Sequence, residues 1–239
     1  MQNLNKNNLE NLNTKYIQDF NTALSMYEIE YTDNELIEFL KKGSIVEKQI
    51  ATLKLSQINS KENAEIFINN LTGCDGKIRE AVSFRLKEFI SQNPHLYTNF
   101  YDKFLDAIID INGNICRNTI SALTYMKEIP EFTINFCEKL CSNTLKLAKK
   151  AITFDLQDGK YKINKEIFKL YWYLETLFEF SEYINIETIT TILNLTTKVH
   201  DYTIREKSAK IISKMENSEH LQKIREKLRQ DENYYVRRF

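Results

Sequence analysis

The sequence predicts an all-α protein built as a solenoid of stacked helix pairs, and three observations carry the prediction. With 5 Gly and 2 Pro in 239 residues, the chain is too poor in turn formers for a sheet sandwich. Its 42% hydrophobic and 28% charged residues place it among folded rather than disordered chains. Finally, a short signal, a polar cap followed by a cation, returns along the chain at the spacing of a helical repeat.

The first 43 residues precede the clear repeats and are expected to be capping helices. "LNTKYIQDFNTALSMYEIEY" has apolar residues at 12, 16, 17, 20, 24 and 27, the spacing of an amphipathic helix. "TDNELIEFLKKG" follows with a Thr32-x-x-Glu35 capping box, Lys41 and Lys42 in the last turn and Gly43 as the stop. Together the two helices are expected to cover the open end of the first repeat.

Residues 44–239 are expected to hold about five repeats, the last cut short. "DGKIREAVSFRLKEFI" surrounds Arg79, "GNICRNTISALTYM" Arg117, "DYTIREKSAKIISKM" Arg205 and "NYYVRRF" Arg237, and "DGKYKINKEIFKLYWYL" sets Lys162 in the same place. The basic positions are 32 to 45 residues apart. "GSIVEKQIATLKL" is a fainter start at Glu47. Asp or Asn accepts hydrogen bonds from the unpaired N–H groups of a first helical turn, and Gly is read as permitting the turn before it. Val82, Leu86 and Phe89 after Arg79, and Ala209, Ile212 and Met215 after Arg205, then recur at helical spacing. Pro94 and Pro130 are placed at the first position of the second helix of a pair, where a missing N–H costs nothing.

Helix pairs restarted in this way resemble HEAT repeats, whose signature reads Asp, then x-(Asp/Asn)-x-x-Val-Arg-Arg; the closing "DENYYVRR" carries it best, and the resemblance covers about residues 44 to 239. It implies a right-handed superhelix. It also implies a hydrogen-bonded ladder between neighbouring repeats, formed here by Asp75, Arg79, Arg117, Lys162, Asp201, Arg205, Asp231 and Arg237, a structural role and not a catalytic one.

The sole Trp lies in the most aromatic stretch, "KEIFKLYWYLETLFEF", where Phe168, Trp172, Glu175 and Glu179 gather on one side of a helix. Packing accounts for such a helix inside a solenoid. The functional reading is a groove in which Phe168 and Trp172 anchor a peptide and the glutamates meet its basic residues. Cys137 and Cys141 make only half of a tetrahedral zinc site, and His95, His200 and His220 show no ligand spacing, so neither metal nor cofactor is expected. No phosphate-binding glycine loop, dinucleotide fingerprint or HExxH is present, and no enzyme activity is expected.

Lys+Arg and Asp+Glu both number 33, which gives no global field to attract a polyanion. From Tyr202 to Phe239 the cations exceed the acids, with Tyr234, Tyr235 and Phe239 interleaved, the pattern of a nucleic-acid footprint or of a solvated helix surface. The expected function is therefore a protein- or peptide-binding scaffold using the concave face of a solenoid. The alternative is a nucleic-acid-binding protein related to the HEAT-like DNA glycosylases that excise alkylated bases, although no Trp-x-x-x-Asp arrangement surrounds Trp172 and no catalytic residue carries over. No uncharged apolar run reaches the roughly 18 residues of a membrane span, and four cysteines without framework spacing suit a cytoplasmic chain. Val236 and Phe239 are read as an exposed apolar end that could dock a second copy.

Overall fold

The structure is a computed structural model; it describes the backbone of residues 6–154, 160–215 and 219–239 and the side chains of 13–154, 160, 163–215, 219 and 221–239. The regular structure of the described residues is all helical, with no strand among them. They form two compact units, Met1–Tyr97 and Thr98–Phe239.

In the first unit, α1 (Lys6–Glu28), α3 (Ile45–Lys54) and α5 (Gly76–Gln92) pack side by side as one row, and α2 (Asp33–Lys42) and α4 (Lys61–Leu71) as another. Leu40, Ala51, Phe67, Leu71, Val82 and Leu86 are fully buried between the rows, and the Phe67 and Phe89 rings meet edge to face at 5.1 Å. The predicted Thr32 capping box forms with Glu35, and the Gly43 N–H donates to the Phe39 carbonyl to close α2. Ser44 makes a second complete box with Glu47, which the sequence reading did not single out.

The second unit repeats the plan with α6 (Tyr101–Ala107), α7 (Gly113–Leu123), α8 (Pro130–Ala151), α9 (Lys160–Phe180), α10 (Ile186–Thr196), α11 (Tyr202–Lys214), α12 (Glu219–Arg229) and α13 (Tyr234–Arg237). One row is α7, α9, α11, α13 and the other α6, α8, α10, α12. A chain of ring contacts, Phe104 to Phe132 to Phe136 to Phe180, runs through the core at centroid distances of 6.1, 5.1 and 5.1 Å.

The recurring signal opens helices of the α5 row in the first unit and of the α7–α13 row in the second. Asp75, Asn112, Asp201 and Asn233 are the N-caps of α5, α7, α11 and α13, and each side chain accepts the N–H two residues on, at 2.8 to 2.9 Å. The apolar residue three places after each cap, Ile78, Ile115, Ile204 or Val236, is buried. Arg79, Arg205 and Arg237, one place further, fold back so that Nη1 donates to two carbonyls of the preceding turn: Gly73 and Cys74, Val199 and His200, Asp231 and Glu232.

The α7 copy corrects the predicted register by one residue. Its cap is Asn112, so Cys116 and not Arg117 fills the cation's place, and the Cys116 Sγ donates to the Asp110 carbonyl at 3.1 Å, six residues back as in the arginine copies. Arg117 instead turns to Asn114 Oδ1 of its own helix. The predicted copy before α9 falls on residues 155–159 and the Lys162 side chain, which lie outside the described residues. Among the described bonds of the expected ladder, one passes between pairs: Arg205 reaches Asp231.

Other cations join the rows at their opposite ends, where a helix leaves its last carbonyls unpaired. Lys54 of α3 donates to Met26, Tyr27 and Ile29 at the end of α1, and Arg85 of α5 donates to Thr52, Leu53 and Leu55 at the end of α3. Lys214 of α11 reaches the Phe178 carbonyl near the end of α9.

Three further expectations are revised. Pro130 does open α8, but Pro94 opens a short 3-10 turn, Pro94–Tyr97, and α6 begins at Tyr101. No described glycine has a positive φ, so the turns before the caps do not need one. Val236 is buried, which leaves Phe239 as the exposed residue of the predicted apolar end.

Candidate functional site

The long, aromatic α9 organises one concavity of the second unit. Its outer side meets α7 and α11, and its inner side buries Leu170, Leu174, Leu177 and Phe180. Each fully buried apolar side chain of this size contributes about 1.5–3 kcal/mol, which fixes α9 as a rigid platform.

Of the four side chains predicted to form a peptide patch, the structure leaves Phe168 half-buried at the groove and commits the rest. Trp172 is buried, edge-on to Phe168 at 6.1 Å and to Tyr171 at 5.4 Å. Glu175 is bound by two lysines of α11, Lys207 and Lys210, and Glu179 by Lys127 at 3.0 Å. The same lysines cover aromatic faces, Lys207 over Tyr171 at 4.4 Å and Lys210 over Phe178 at 4.2 Å. Burial pushes the Glu175 carboxyl upward, but the hydrogen bonds and charges of Lys207 and Lys210 outweigh it and hold Glu175 below the usual range. Burial likewise lowers Lys207, and Glu175 and Tyr171 more than reverse it. Glu175 and Glu179 thus serve as struts between neighbouring helices.

A groove of about 350 Å³ lies at the first turns of α9, lined by Ile109, Ile111, Asn164, Lys165, Phe168 and Lys169. Ile111 is 83% exposed, an unusual place for a large aliphatic side chain. It stands in the α6–α7 turn because Asp110 accepts the N–H of Asn112, which fixes the backbone on either side. Lys165 and Lys169, one turn apart on α9, border Phe168. Glu166, the acid between them, is drawn away to Lys150 at 2.9 Å. The rim is therefore basic and the floor apolar. Beneath Phe168, the Trp172 Nε1 is buried without a hydrogen-bond partner. The Cζ2 edge of that indole faces Gly113 at the start of α7, 3.4 Å from where a β-carbon would stand.

Sequence reasoning found Phe168 and missed Ile109, Ile111, Lys165 and Lys169. The visible signal was two lysines four apart around an aromatic residue. The C-terminal cation excess is largely consumed inside the fold. Arg205 binds Asp231, Lys214 Glu182 and Arg238 Glu206, while Arg225 and Arg237 bind carbonyls and Lys207 and Lys210 share Glu175. Tyr235 and Phe239 lie under the Arg238 guanidinium.

Among the described residues, no group of three or more His, Cys, Asp or Glu side chains is placed to hold a metal, and no helix is long and apolar enough to cross a membrane. Cys137 and Cys141 are buried free thiols that line a separate hollow of about 460 Å³ on α8 and α10. No family model, curated protein or solved structure matches the chain.

Proposed function

We propose that the chain is a non-enzymatic scaffold of solenoid type, resembling HEAT repeats, and that it binds a protein through an extended acidic segment laid along the row containing α9. The observation that carries this reading is the groove at Phe168: an apolar floor bordered by Lys165 and Lys169, with the intervening acid Glu166 already paired. A leucine- or phenylalanine-sized side chain fits its volume, and flanking Asp or Glu residues complement the rim. The expected peptide chemistry is thereby reversed, from basic to acidic. Recurrence of one cap at the head of α7, α11 and α13 supports stacking of equivalent pairs. Four free thiols suit a reducing compartment such as the cytoplasm.

A random peptide library selected on the immobilised chain tests this. Enriched sequences should carry one large apolar residue flanked by acids and should change the fluorescence of Trp172, the single tryptophan. The double reversal Lys165→Glu/Lys169→Glu should weaken them about tenfold, the effect of some 1.4 kcal/mol. Enrichment of basic peptides, or binding indifferent to Phe168→Ala, would refute the groove. Tight binding of a DNA duplex with steep salt dependence would favour the nucleic-acid alternative.

A further inference from the structure

The helix α1 presents a second apolar face that the first unit does not use. Asp19, Thr22, Ala23 and Met26 face the body, where α1 packs on α3, and only Met26 among them is fully buried. About a third of a turn away, Tyr16, Ile17, Phe20, Leu24 and Tyr27 stand 48 to 73% exposed. α1 and α2 pack on α3 and α4, as expected of helices at the start of the stack, but these five side chains lie outside that packing. Four of them, Ile17, Phe20, Leu24 and Tyr27, are spaced 3, 4 and 3, the interval of a coiled-coil seam rather than of scattered surface residues.

We propose that this seam pairs with the same seam of a second copy, antiparallel, to make a homodimer. The spacing is symmetric about Thr22, so a twofold axis there sets Ile17 opposite Tyr27 of the other copy and Phe20 opposite Leu24, twice over. Such self-complementarity is what an isologous contact requires. No charged side chain of α1 lies within the seam: Lys15 and Asp19 point elsewhere on the helix, and Glu28 follows its last residue; the one cation near it, Lys54, covers the Tyr27 ring at 5.7 Å. Asn21 borders the axis and meets its own counterpart, amide to amide. The antiparallel sense also sends the two bodies attached after Glu28 to opposite ends. Five such side chains, three of them aromatic, expose on the order of 700 Å² per copy, a ceiling on what pairing can bury that comes close to the ~800 Å² each partner contributes to a standard interface. This pairing is independent of the acidic-peptide groove, which lies on α9.

Light scattering of the intact chain over a concentration series, with sedimentation equilibrium, tests the proposal. The wild type should be a dimer at about 50 µM, and Phe20→Glu and Leu24→Glu should each raise the dissociation constant by at least about tenfold. Because both side chains face solvent in one copy, helicity and urea midpoint of the variants should match the wild type at concentrations low enough for both to be monomers, which separates lost pairing from lost folding. In a Cys74→Ser background, Asn21→Cys should cross-link the dimer on oxidation and Tyr27→Cys should not. A wild type that stays monomeric at ~50 µM overturns the proposal and leaves the face to a different protein. An unaltered dimer in Phe20→Glu, or cross-linking through position 27 instead of 21, also overturns it. Peptide binding at the α9 groove should be unchanged in Phe20→Glu, so either result can fail alone.

Discussion

Arg205 and Asp231, at the heads of two successive helix pairs, share a two-pronged ion pair: Nε donates to Oδ2 at 2.6 Å and Nη2 to Oδ1 at 3.1 Å. Both side chains are about 10% exposed. Arg205 also holds two carbonyls of its own turn, and Asp231 accepts the Asn233 N–H that sets up the cap of α13. The pair therefore joins the repeated cap of one helix pair to that of the next. Arg205→Ala should cost about 3 kcal/mol, because it leaves Asp231 desolvated without its cation. Arg205→Lys should recover only part of this, since an ammonium cannot make the fork. A double-mutant cycle with Asp231→Ala, read by urea unfolding, should give a coupling above about 1 kcal/mol; additive single effects would mean the pair joins nothing.

Acid should weaken the fold through the same contacts. At Asp231, burial raises the carboxyl's proton affinity, but Arg205 and the Asn233 amide hold it below the ordinary range, and Glu175 is depressed by Lys207 and Lys210. Each group binds its proton less readily in the folded chain. The stabilisation is thus full above the unfolded carboxylate pKa and is lost as pH falls through the depressed folded value. The urea midpoint should be level from neutral pH to about pH 5 and drop below about pH 4. Glu175→Gln should be less stable at neutral pH, with two lysines left unpaired, and its acid decline should be shallower.

Two glycines should respond in opposite ways to alanine. At Gly43 a β-carbon would stand 2.6 Å from the Phe39 carbonyl oxygen, which the Gly43 N–H itself engages. Gly43→Ala should therefore destabilise by about 1–2 kcal/mol through forced displacement of the α2 end. Gly76 begins α5 with no positive φ, and the added carbon would meet only Arg79 Nη2, at an ordinary contact distance of 3.8 Å. Gly76→Ala should stabilise by about 0.5–1 kcal/mol by restricting the unfolded chain. Thermal melts of the two variants check both signs.

The thiols should separate cleanly in labelling. Burial pushes Cys116 and Cys137 up to about 12 and Cys141 to about 11, whereas Cys74 is exposed. Iodoacetamide at pH 8 should modify Cys74 alone in the native protein and all four thiols in urea, as peptide mass spectrometry would show. Fast native labelling of Cys116 would contradict its place inside the α7 cap.

The helices were legible in the sequence where a local device announces them. Thr32 with Glu35, Asp75, Asp201 and Pro130 all lie within four residues of what they cap, and each prediction held. Asn112 was equally local, but Arg117 drew the register one place late because a cysteine in the cation's position carries no charge to notice. The fate of Glu175 and Glu179 was not legible, since Lys207 and Lys127 lie 32 and 52 residues away and only packing brings them near. The α1 periodicity was visible, yet a pattern of apolar residues does not say which of two faces meets the chain. The groove at Phe168 depends on Ile111, whose exposure follows from a turn geometry that no helical period encodes.

The central claim is that one cap device, used repeatedly, starts α5 in the first unit and α7, α11 and α13 in the second. It is tested most directly by replacing Asp75, Asn112, Asp201 and Asn233 by Ala, one at a time, and measuring the urea midpoint of each variant. The account predicts a loss of about 1 kcal/mol at every one of the four positions, the usual worth of a side-chain N-cap. Substitutions without effect at Asn112 and Asn233, with loss confined to the two aspartates, would contradict it.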